Sequence, residues 1–250
     1  MSLVTVITAV DPQRSMHLPA TWESLAAQNL PEGWGFEWLV QCDETDADSR
    51  ESVKSLLPDD DRISFGASRK GGPGIARTMA LARGTGSLVK TLDADDRLAP
   101  GVLARDIQAC SRRGIGWSAS RVVDDRDGEL SPHYPYDPEE GTLRSGLVYR
   151  AYTKEDYRIL VHPATLCMRR WLVVALGGWM ALPASEDTGL LMALDAVSDG
   201  WFNAEVGMIY RRWAPQMSAS PEHADPEELA ARRGLAIERA DALGLLMDGW

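Results

Sequence analysis

The sequence predicts an α/β protein in which a mostly parallel, twisted central sheet is flanked by helices. Three observations support this prediction. Short apolar segments of strand length alternate along the chain with segments whose apolar residues recur at helical spacing. Acidic residues directly follow several predicted strands, where ligands of open α/β sheets bind. No internal repeat or linker divides the 250 residues, so we expect one main domain over 1–220 and a helical extension over 221–250.

The predicted elements of the first half follow in chain order. Residues 3–10 are β-branched and apolar, which suits a buried parallel strand, and Asp11-Pro12 ends it. Trp22, Leu25 and Ala26 then recur at the spacing of a helix. The next elements are a strand, a short helix, a small strand, a buried strand and a helix, over 36–42, 52–57, 62–65, 88–92 and 102–111.

The second half is predicted to contain two more strands and three more helices. Residues 124–128 are typical of a solvated turn. Residues 131–157 are rich in Pro, Tyr and acidic residues without periodicity, which favours a loop at the border of an active site. The strands are predicted over 116–123 and 203–210, and the helices over 171–176, 188–197 and 225–247.

The last of these helices begins clearly at Asp225-Pro226. Its apolar residues are spaced for an amphipathic helix that packs on the domain or pairs between subunits of a homo-oligomer. They are Leu229, Leu235, Ala236, Leu243 and Leu246.

Composition limits the classes of function. The net charge of −11 argues against nucleic-acid binding, which requires a basic surface. Three scattered cysteines without Cys-x-x-Cys spacing indicate reduced thiols rather than disulfides or a zinc site. No apolar segment approaches the roughly 18 residues of a membrane-spanning helix, and no signal peptide is evident, so we expect a cytoplasmic location and no transmembrane segment.

An acidic cluster ends the predicted strand 88–92, where Asp93, Asp95 and Asp96 lie within four residues. Carboxylates that repel one another are stabilised by a divalent cation, and Mg²⁺ or Mn²⁺ is commonly held by one or two carboxylates together with substrate phosphates. The cluster therefore suggests a metal–diphosphate site. A solvated turn or a helix N-cap is an equally simple interpretation for such a short motif, and for Asp96 in particular.

A glycine-rich, basic segment over 68–77 precedes a helix that is predicted to end at Ala82. Backbone N–H groups at a helix start, with cations nearby, suit a bound anion. The glycines match neither the P-loop nor the dinucleotide fingerprint. An ordinary loop that enters a helix is therefore the alternative interpretation.

Taken together, these segments resemble glycosyltransferase family 2, which comprises inverting nucleotide-sugar transferases of the GT-A fold. The resemblance extends over residues 3–218 and preserves the family's order of motifs. This chain has Cys42, Thr78 and Trp213 where the family usually has Asp, Asn and His. The matching segments are 4–8, 21–28, 37–43, 71–77, 92–96, 177–179, 185–187, 210–213 and 216–218.

The resemblance implies roles for the residues on the donor side. Asp43 would contact the nucleobase or ribose, Arg77 would lie near the nucleotide, and Asp93 would face the ribose. Asp95, the second acid of the Asp-x-Asp motif, would carry the divalent cation, Mn²⁺ or Mg²⁺.

On the acceptor side, Asp187 of the Glu-Asp motif would be the catalytic base, and Glu186 would orient the acceptor or the following helix. A helix-capping role is the simple alternative for Ser185 or Asp187. Trp179 could stack on a sugar, although a buried tryptophan usually belongs to the core. Because Trp213 replaces a family His, the diphosphate would depend more on Arg211 and Arg212.

These roles imply a hexosyltransferase-type enzyme that moves a sugar from a nucleoside diphosphate sugar, most commonly a UDP-sugar, to a hydroxyl of a small-molecule or saccharide acceptor. Two alternatives stay open. A sugar-phosphate nucleotidyltransferase shares the α/β sheet and divalent ion but usually has a glycine-rich stretch with Lys after the first strand, where this chain has Asp11-Pro12-Gln13-Arg14. A non-catalytic nucleotide-sugar-binding module would not need Asp187.

Overall fold

The computed structural model describes residues 1–132, 137–213 and 225–248. Its strands are β1 (Ser2–Val10), β2 (Trp34–Cys42), β3 (Ile63–Ala67), β4 (Leu88–Thr91), β5 (Arg97–Leu98), β6 (Ile115–Arg126), β7 (Glu129–Pro132), β8 (Gly141–Leu143), β9 (Cys167–Arg169) and β10 (Asp199–Arg211). Its α-helices are α1 (Leu18–Ala26), α2 (Ala47–Lys54), α3 (Pro73–Leu81), α4 (Val102–Cys110), α5 (Leu147–Lys154), α6 (Arg170–Ala175), α7 (Glu186–Val197) and α8 (Pro226–Asp248). Two short 3₁₀ helices lie at Pro12–His17 and Pro163–Thr165.

The strands form one mixed sheet in the order β3-β2-β1-β4-β9-β6-β10-β5, with β7 paired to β6 and β8 to β10. β1 to β4 pair in parallel, and so do β6 and β10, so most paired residues are in parallel register. The short β9 is antiparallel to both β4 and β6 and joins the two parallel parts. The predicted α/β class with a mostly parallel sheet and a C-terminal helix is confirmed.

The register of the parallel strands brings their carboxyl ends together. Val10 at the end of β1 is opposite Cys42 at the end of β2, and Ile7 is opposite Thr91 at the end of β4. The acidic residues that follow these strands must therefore emerge at the same edge of the sheet.

A buried ion pair fixes the strand that leads to the acidic cluster. Lys90 of β4 and Asp106 of α4 are both almost completely buried, and 2.7 Å separates Lys90 Nζ from Asp106 Oδ2. Lys90 Nζ also donates to the carbonyl of Thr165 at 2.6 Å, and Ser118 Oγ donates to Asp106 Oδ1. Because each charged group has hydrogen-bond partners, the pair can be buried and holds β4 in position.

Three local predictions were wrong. The helix predicted over 52–57 is α2, which starts earlier because the Asp46 carboxylate accepts a hydrogen bond from Ser49 N. The predicted loop 131–157 contains α5, whose buried side includes Val148, Ala151 and Tyr152. In the predicted solvated turn 124–128, Asp124 and Asp125 are buried because arginines pair with both.

Helix α8 packs against α7 and α5 with part of the predicted apolar face. Its buried residues are Arg232, Ala236 and Ala240, spaced four apart, whereas Leu235 and Leu246 are 47% and 59% exposed. Ala236 of the predicted stripe is therefore on the packing face, whereas the two leucines at the edge of the stripe, Leu235 and Leu246, are not. Among the described residues, no helix has both the length and the apolar character needed to cross a membrane.

Candidate active site

A cleft of about 600 Å³ lies at the carboxyl ends of β1, β2 and β4 and extends to the start of α7. Its lining includes six of the residues to which the sequence assigns roles, from segments far apart in the chain. They are Asp43, Arg77, Asp93, Asp95, Glu186 and Asp187. Asp95 and Asp187, the predicted metal ligand and the predicted base, therefore share one cleft.

Asp43 anchors the glycine-rich loop. Its Oδ1 accepts a hydrogen bond from Gly71 N and its Oδ2 accepts one from Gly72 N, both at 2.8 Å. The loop thus binds an anion, as its composition suggests, but that anion is a carboxylate of the protein itself. Burial raises the pKa of Asp43, and the two N–H donors oppose that shift. Any contact of Asp43 with a nucleotide would be additional to this structural role.

Arg77 connects the two acidic motifs. Its guanidinium is buried, with Nη2 2.6 Å from Asp93 Oδ1 and Nη1 2.5 Å from Glu186 Oε1. Helix α3 approaches Glu186 closely because residue 74 is glycine. A Cβ atom at Gly74 would lie 2.7 Å from the carbonyl oxygen of Met180 and 2.8 Å from Glu186 Cγ. The glycine therefore permits the approach that lets Arg77 span both carboxylates.

The two acids at the start of α7 have different environments. Burial, and then the neighbouring Asp187 charge, raise the pKa of Glu186 to about 7, although Arg77 opposes the shift. Burial also raises the pKa of Asp187, opposed by Arg77 and by the hydrogen bond from Thr188 N at 2.6 Å. Burial thus makes both carboxylates more basic than a solvated one, but Glu186 is paired with Arg77, whereas the described hydrogen bonds of Asp187 come only from Thr188.

Asp95 is positioned by residues that follow β10. Its Oδ2 accepts a hydrogen bond from Trp213 Nε1 at 2.7 Å, and its carbonyl accepts one from Arg211 Nε at 3.0 Å. The Trp213 ring packs against His17 with the ring centres 4.6 Å apart. Trp213, which replaces the His usual in the resembled family, thus holds the Asp95 carboxylate.

Asp96 is buried completely, so the interpretation of Asp96 as a solvated turn residue was wrong. Its Oδ1 accepts a hydrogen bond from Arg211 N at 2.9 Å, whereas Oδ2 has no partner among the described residues. Burial and the charges of Asp95 and Asp93 raise its pKa well above the usual range, which favours the neutral acid. Asp96 therefore ties the acidic cluster to β10.

Three predicted substrate-binding residues lie outside the cleft lining. Trp179 is 4% exposed and packs in the hydrophobic core, so the prediction that it stacks on a sugar was wrong. Arg211 is bound to Asp95 and Asp96, as described above. Arg212 Nε donates to Asp124 Oδ2 at 2.9 Å, and its guanidinium lies 4.7 Å from the centre of the Tyr210 ring. The matching segment 216–218 lies outside the described residues.

Two positively charged residues for which the sequence predicted no role, Arg14 and Lys70, also line the cleft. Arg14 Nη1 lies 2.7 Å from Asp11 Oδ2 in the turn after β1, and Lys70 is an exposed residue of the glycine-rich loop. The sequence feature that could have identified Lys70 as a site residue is its position in a basic loop before a helix. His162, to which no role was assigned, also lines the cleft, with its ring centre 5.2 Å from that of Tyr210.

The acids of the cleft fit a divalent cation that substrate phosphates would help to hold. Among the described residues, no cluster of three metal-binding side chains is present, so these residues alone do not form a complete metal site. Asp93 and Asp95 supply the one or two carboxylates that Mg²⁺ or Mn²⁺ usually takes in phosphate sites. Burial, and to a lesser degree the Asp93 charge, raise the pKa of Asp95, and a cation would relieve both effects.

A family model described as glycosyl transferase family 2 matches residues 14–172. The chain belongs to this family. The match includes Asp43, Arg77, Asp93 and Asp95, and it ends before the Glu-Asp motif at the start of α7. No curated protein matches the sequence of this family 2 chain.

Solved structures resemble the family 2 chain at low sequence identity. S. aureus TarS 1-349 in complex with UDP-GlcNAc has a TM-score of 0.72 and 18% identity, over 94% of this chain and 65% of that one. Another structure of S. aureus TarS has a TM-score of 0.64 and 17% identity, over 86% of this chain and 37% of that one. The chain thus spans from about a third to two thirds of the length of these TarS chains.

A further similar structure is the mannosyltransferase PcManGT from Pyrobaculum calidifontis in complex with GDP-Man and Mn²⁺. Its TM-score is 0.61 at 14% identity, over 96% of this chain and 73% of that one. At these identities the similarities show the fold, which is the GT-A fold that the sequence resemblance implies.

Proposed function

We propose that the chain is a metal-dependent, inverting glycosyltransferase that moves a sugar from a nucleoside diphosphate sugar, preferably a UDP-sugar, to an acceptor hydroxyl. The observation that carries this proposal is the bridge formed by Arg77. It joins Asp93 and Glu186 in a cleft that Asp95 and Asp187 also line. The UDP-GlcNAc and GDP-Man named for the similar structures support the donor class.

On the acceptor side, Asp187 acts as the general base. The acceptor hydroxyl attacks the anomeric carbon from the face opposite the diphosphate, and its proton passes to Asp187 as the new bond forms. General-base catalysis of this kind contributes about 10²- to 10⁴-fold. The hydrogen bond from Thr188 N leaves the other Asp187 oxygen for the acceptor.

On the donor side, Asp95 and Asp93 would hold the divalent cation. When bound, this cation compensates the charge that develops on the departing diphosphate. Lys70 and Arg14 add positive charge to the same cleft, and we assign to them the diphosphate contact that the sequence assigned to Arg211 and Arg212. Arg77 holds Asp93 in place and keeps Glu186 away from the acceptor proton.

Family membership disfavours the nucleotidyltransferase alternative. The non-catalytic binding module differs from the enzyme in one measurable respect, since only the enzyme releases UDP from a UDP-sugar. Metal-dependent release of UDP from UDP-GlcNAc or another UDP-sugar, blocked in Asp187→Asn, supports transfer. UDP binding without release from any sugar donor, with or without acceptors, would favour the binding module.

Asp95→Asn is expected to abolish the increase in UDP affinity that Mn²⁺ produces. The amide removes the negative charge, and it can still accept a hydrogen bond from Trp213. We expect Mn²⁺ affinity in the presence of UDP to fall by at least about tenfold, since loss of even an indirect metal partner has effects of that size. Titration calorimetry of UDP with and without Mn²⁺ measures this change.

Asp127→Asn is the matched control, because Asp127 is exposed in a hairpin turn at φ +53°, a conformation that Asn also adopts. It should bind UDP and Mn²⁺ like the unmodified protein. An undiminished response of Asp95→Asn to Mn²⁺ would reject the assignment of Asp95.

A further inference from the structure

Ser185, directly before the Glu-Asp motif, has a backbone conformation that serine rarely adopts. Its φ and ψ are +62° and +18°, in the left-handed region, and its side chain does not cap α7. Outside glycine this conformation is strained and persists only where surrounding contacts maintain it. Because Ser185 lies two residues before Asp187, its backbone conformation affects the direction in which the Asp187 side chain points into the cleft.

The carbonyl of Ser185 accepts a hydrogen bond from Gly189 N of α7, and its side chain is contacted from α8, which lies outside the segment matched by the family model. Arg232 Nη1 donates to Ser185 Oγ at 3.3 Å, although Arg232 is only 2% exposed. On its own helix, Arg232 Nε is 3.4 Å from the Glu228 carbonyl and 3.3 Å from the Glu228 carboxylate. A buried arginine thus extends from α8 to the loop that carries the base.

The neighbouring arginine makes a second contact of the same kind. The Arg233 guanidinium lies 4.0 Å from the ring centre of Tyr157, and Asp156 and Tyr157 have φ values of +49° and +59°. Two residues later, Ile159 lines the cleft. Among the described non-glycine residues, four have positive φ, and three of them lie in the two segments that Arg232 and Arg233 contact.

We propose that Arg232 is a positioning residue for the transfer reaction, which holds Ser185 in its left-handed conformation and thereby directs Asp187 into the cleft. The inference rests on the proposed role of Asp187 as the base. On this proposal, α8 contributes to the reaction by helping to position Asp187. Neither the apolar pattern of α8 nor the family motifs predict the contact between Arg232 and Ser185.

The test compares two arginines of the same helix. Arg232→Met removes the donor and keeps most of the side-chain volume. Arg239→Met is the matched control, because Arg239 donates to the carbonyl of Leu176, away from the cleft. We expect Arg232→Met to lower kcat by about 10- to 100-fold, the scale on which small misplacements of catalytic groups act. The KM for the UDP-sugar should stay unchanged, and Arg239→Met should keep the unmodified kcat.

Ser185→Gly provides the second comparison, because glycine adopts positive φ without support. Adding Arg232→Met to Ser185→Gly should lower kcat much less than Arg232→Met does alone. Equal losses of kcat in both arginine variants, in proportion to their losses of Tm, would assign α8 a purely structural role and overturn the proposal. So would a full Arg232 effect in the Ser185→Gly background.

Hydrogen–deuterium exchange of residues 183–190 separates this inference from the proposed function. Faster exchange there in Arg232→Met than in Arg239→Met supports the positioning contact even if no UDP-sugar is a substrate. Unchanged exchange overturns the contact even if the unmodified enzyme transfers sugar.

Discussion

Asp187→Asn is expected to lower the rate of sugar transfer by about 10²- to 10⁴-fold, the range that a general base contributes. The amide cannot accept the acceptor proton. The hydrogen bond from Thr188 N to the side-chain oxygen can still form, so the start of α7 should keep its geometry. Asp187 does not contact Asp43, Lys70 or Asp95 through any described hydrogen bond, and UDP affinity in Mn²⁺ should therefore be nearly unchanged. UDP release from a UDP-sugar and calorimetric binding of UDP measure the two quantities.

Asp195→Asn is the control for this prediction, because it makes the same substitution on the same helix away from the cleft. The Asp195 carboxylate accepts a hydrogen bond from Tyr149 N at 2.9 Å, and burial raises the pKa of Asp195 to about 6. This variant should lose stability without a comparable loss of kcat. Normal turnover by Asp187→Asn would transfer the role of base to another group.

The proximity of the acidic residues in the cleft could be predicted from the sequence, because it depends on regular secondary structure. Asp43 and Asp93 follow strands whose register is fixed by parallel pairing with β1, so they must lie at one edge of the sheet. The helical spacing of α3 likewise puts Arg77 one turn after Gly74. Here the sequence pattern of each strand or helix agrees with the tertiary structure, so the pattern is sufficient to predict where these side chains lie.

The remaining parts of the site depend on contacts that local pattern does not encode. Trp213 reaches Asp95 only because β10 pairs with β5 and β6, which places the end of β10 beside the acidic cluster. Trp179 follows Gly177-Gly178, and its burial comes from packing on the core, which an adjacent motif cannot reveal. Arg232 lies within the predicted apolar stripe of α8, between Leu229 and Ala236, but the burial of an arginine there is not what an apolar pattern predicts. Charged residues are rarely buried without partners, and Arg232 contacts Glu228 on its own helix and Ser185, which directly precedes α7.

The buried charges around Arg77 lead to the second prediction, which concerns stability. Arg77→Met is expected to lower the free energy of unfolding by about 3–5 kcal/mol near pH 8, because removal of one partner leaves a buried carboxylate uncompensated. The part of this cost that depends on pH should come from Glu186, which is 5% exposed, whereas Asp93 retains contact with solvent. Activity should be lost as well, since Asp93 and Glu186 would no longer be held.

The expected pH dependence follows from the same carboxyl group. The pKa of Glu186 is about 7 in the folded protein, above its usual value, and removal of Arg77 should raise it further. A raised pKa means that the folded state binds more protons than the unfolded state between these values, so stability falls as pH rises through this window. Arg77→Met should therefore be closest to the unmodified protein near pH 5, where Glu186 is protonated in both.

Urea unfolding at pH 5 and pH 8 measures this difference, and Arg83→Met is the matched control. Arg83 lies just after the same helix and donates to uncharged groups: the Gln41 side chain, the Ser64 side chain and carbonyl, and the Val40 carbonyl. Its loss leaves no buried charge, so Arg83→Met should destabilise by only about 1–3 kcal/mol, with no additional dependence on pH over this range. If Arg77→Met were destabilised equally at both pH values, Glu186 would not be the group that Arg77 neutralises. Arg77 would then hold Asp93 and Glu186 in position without neutralising the charge of Glu186.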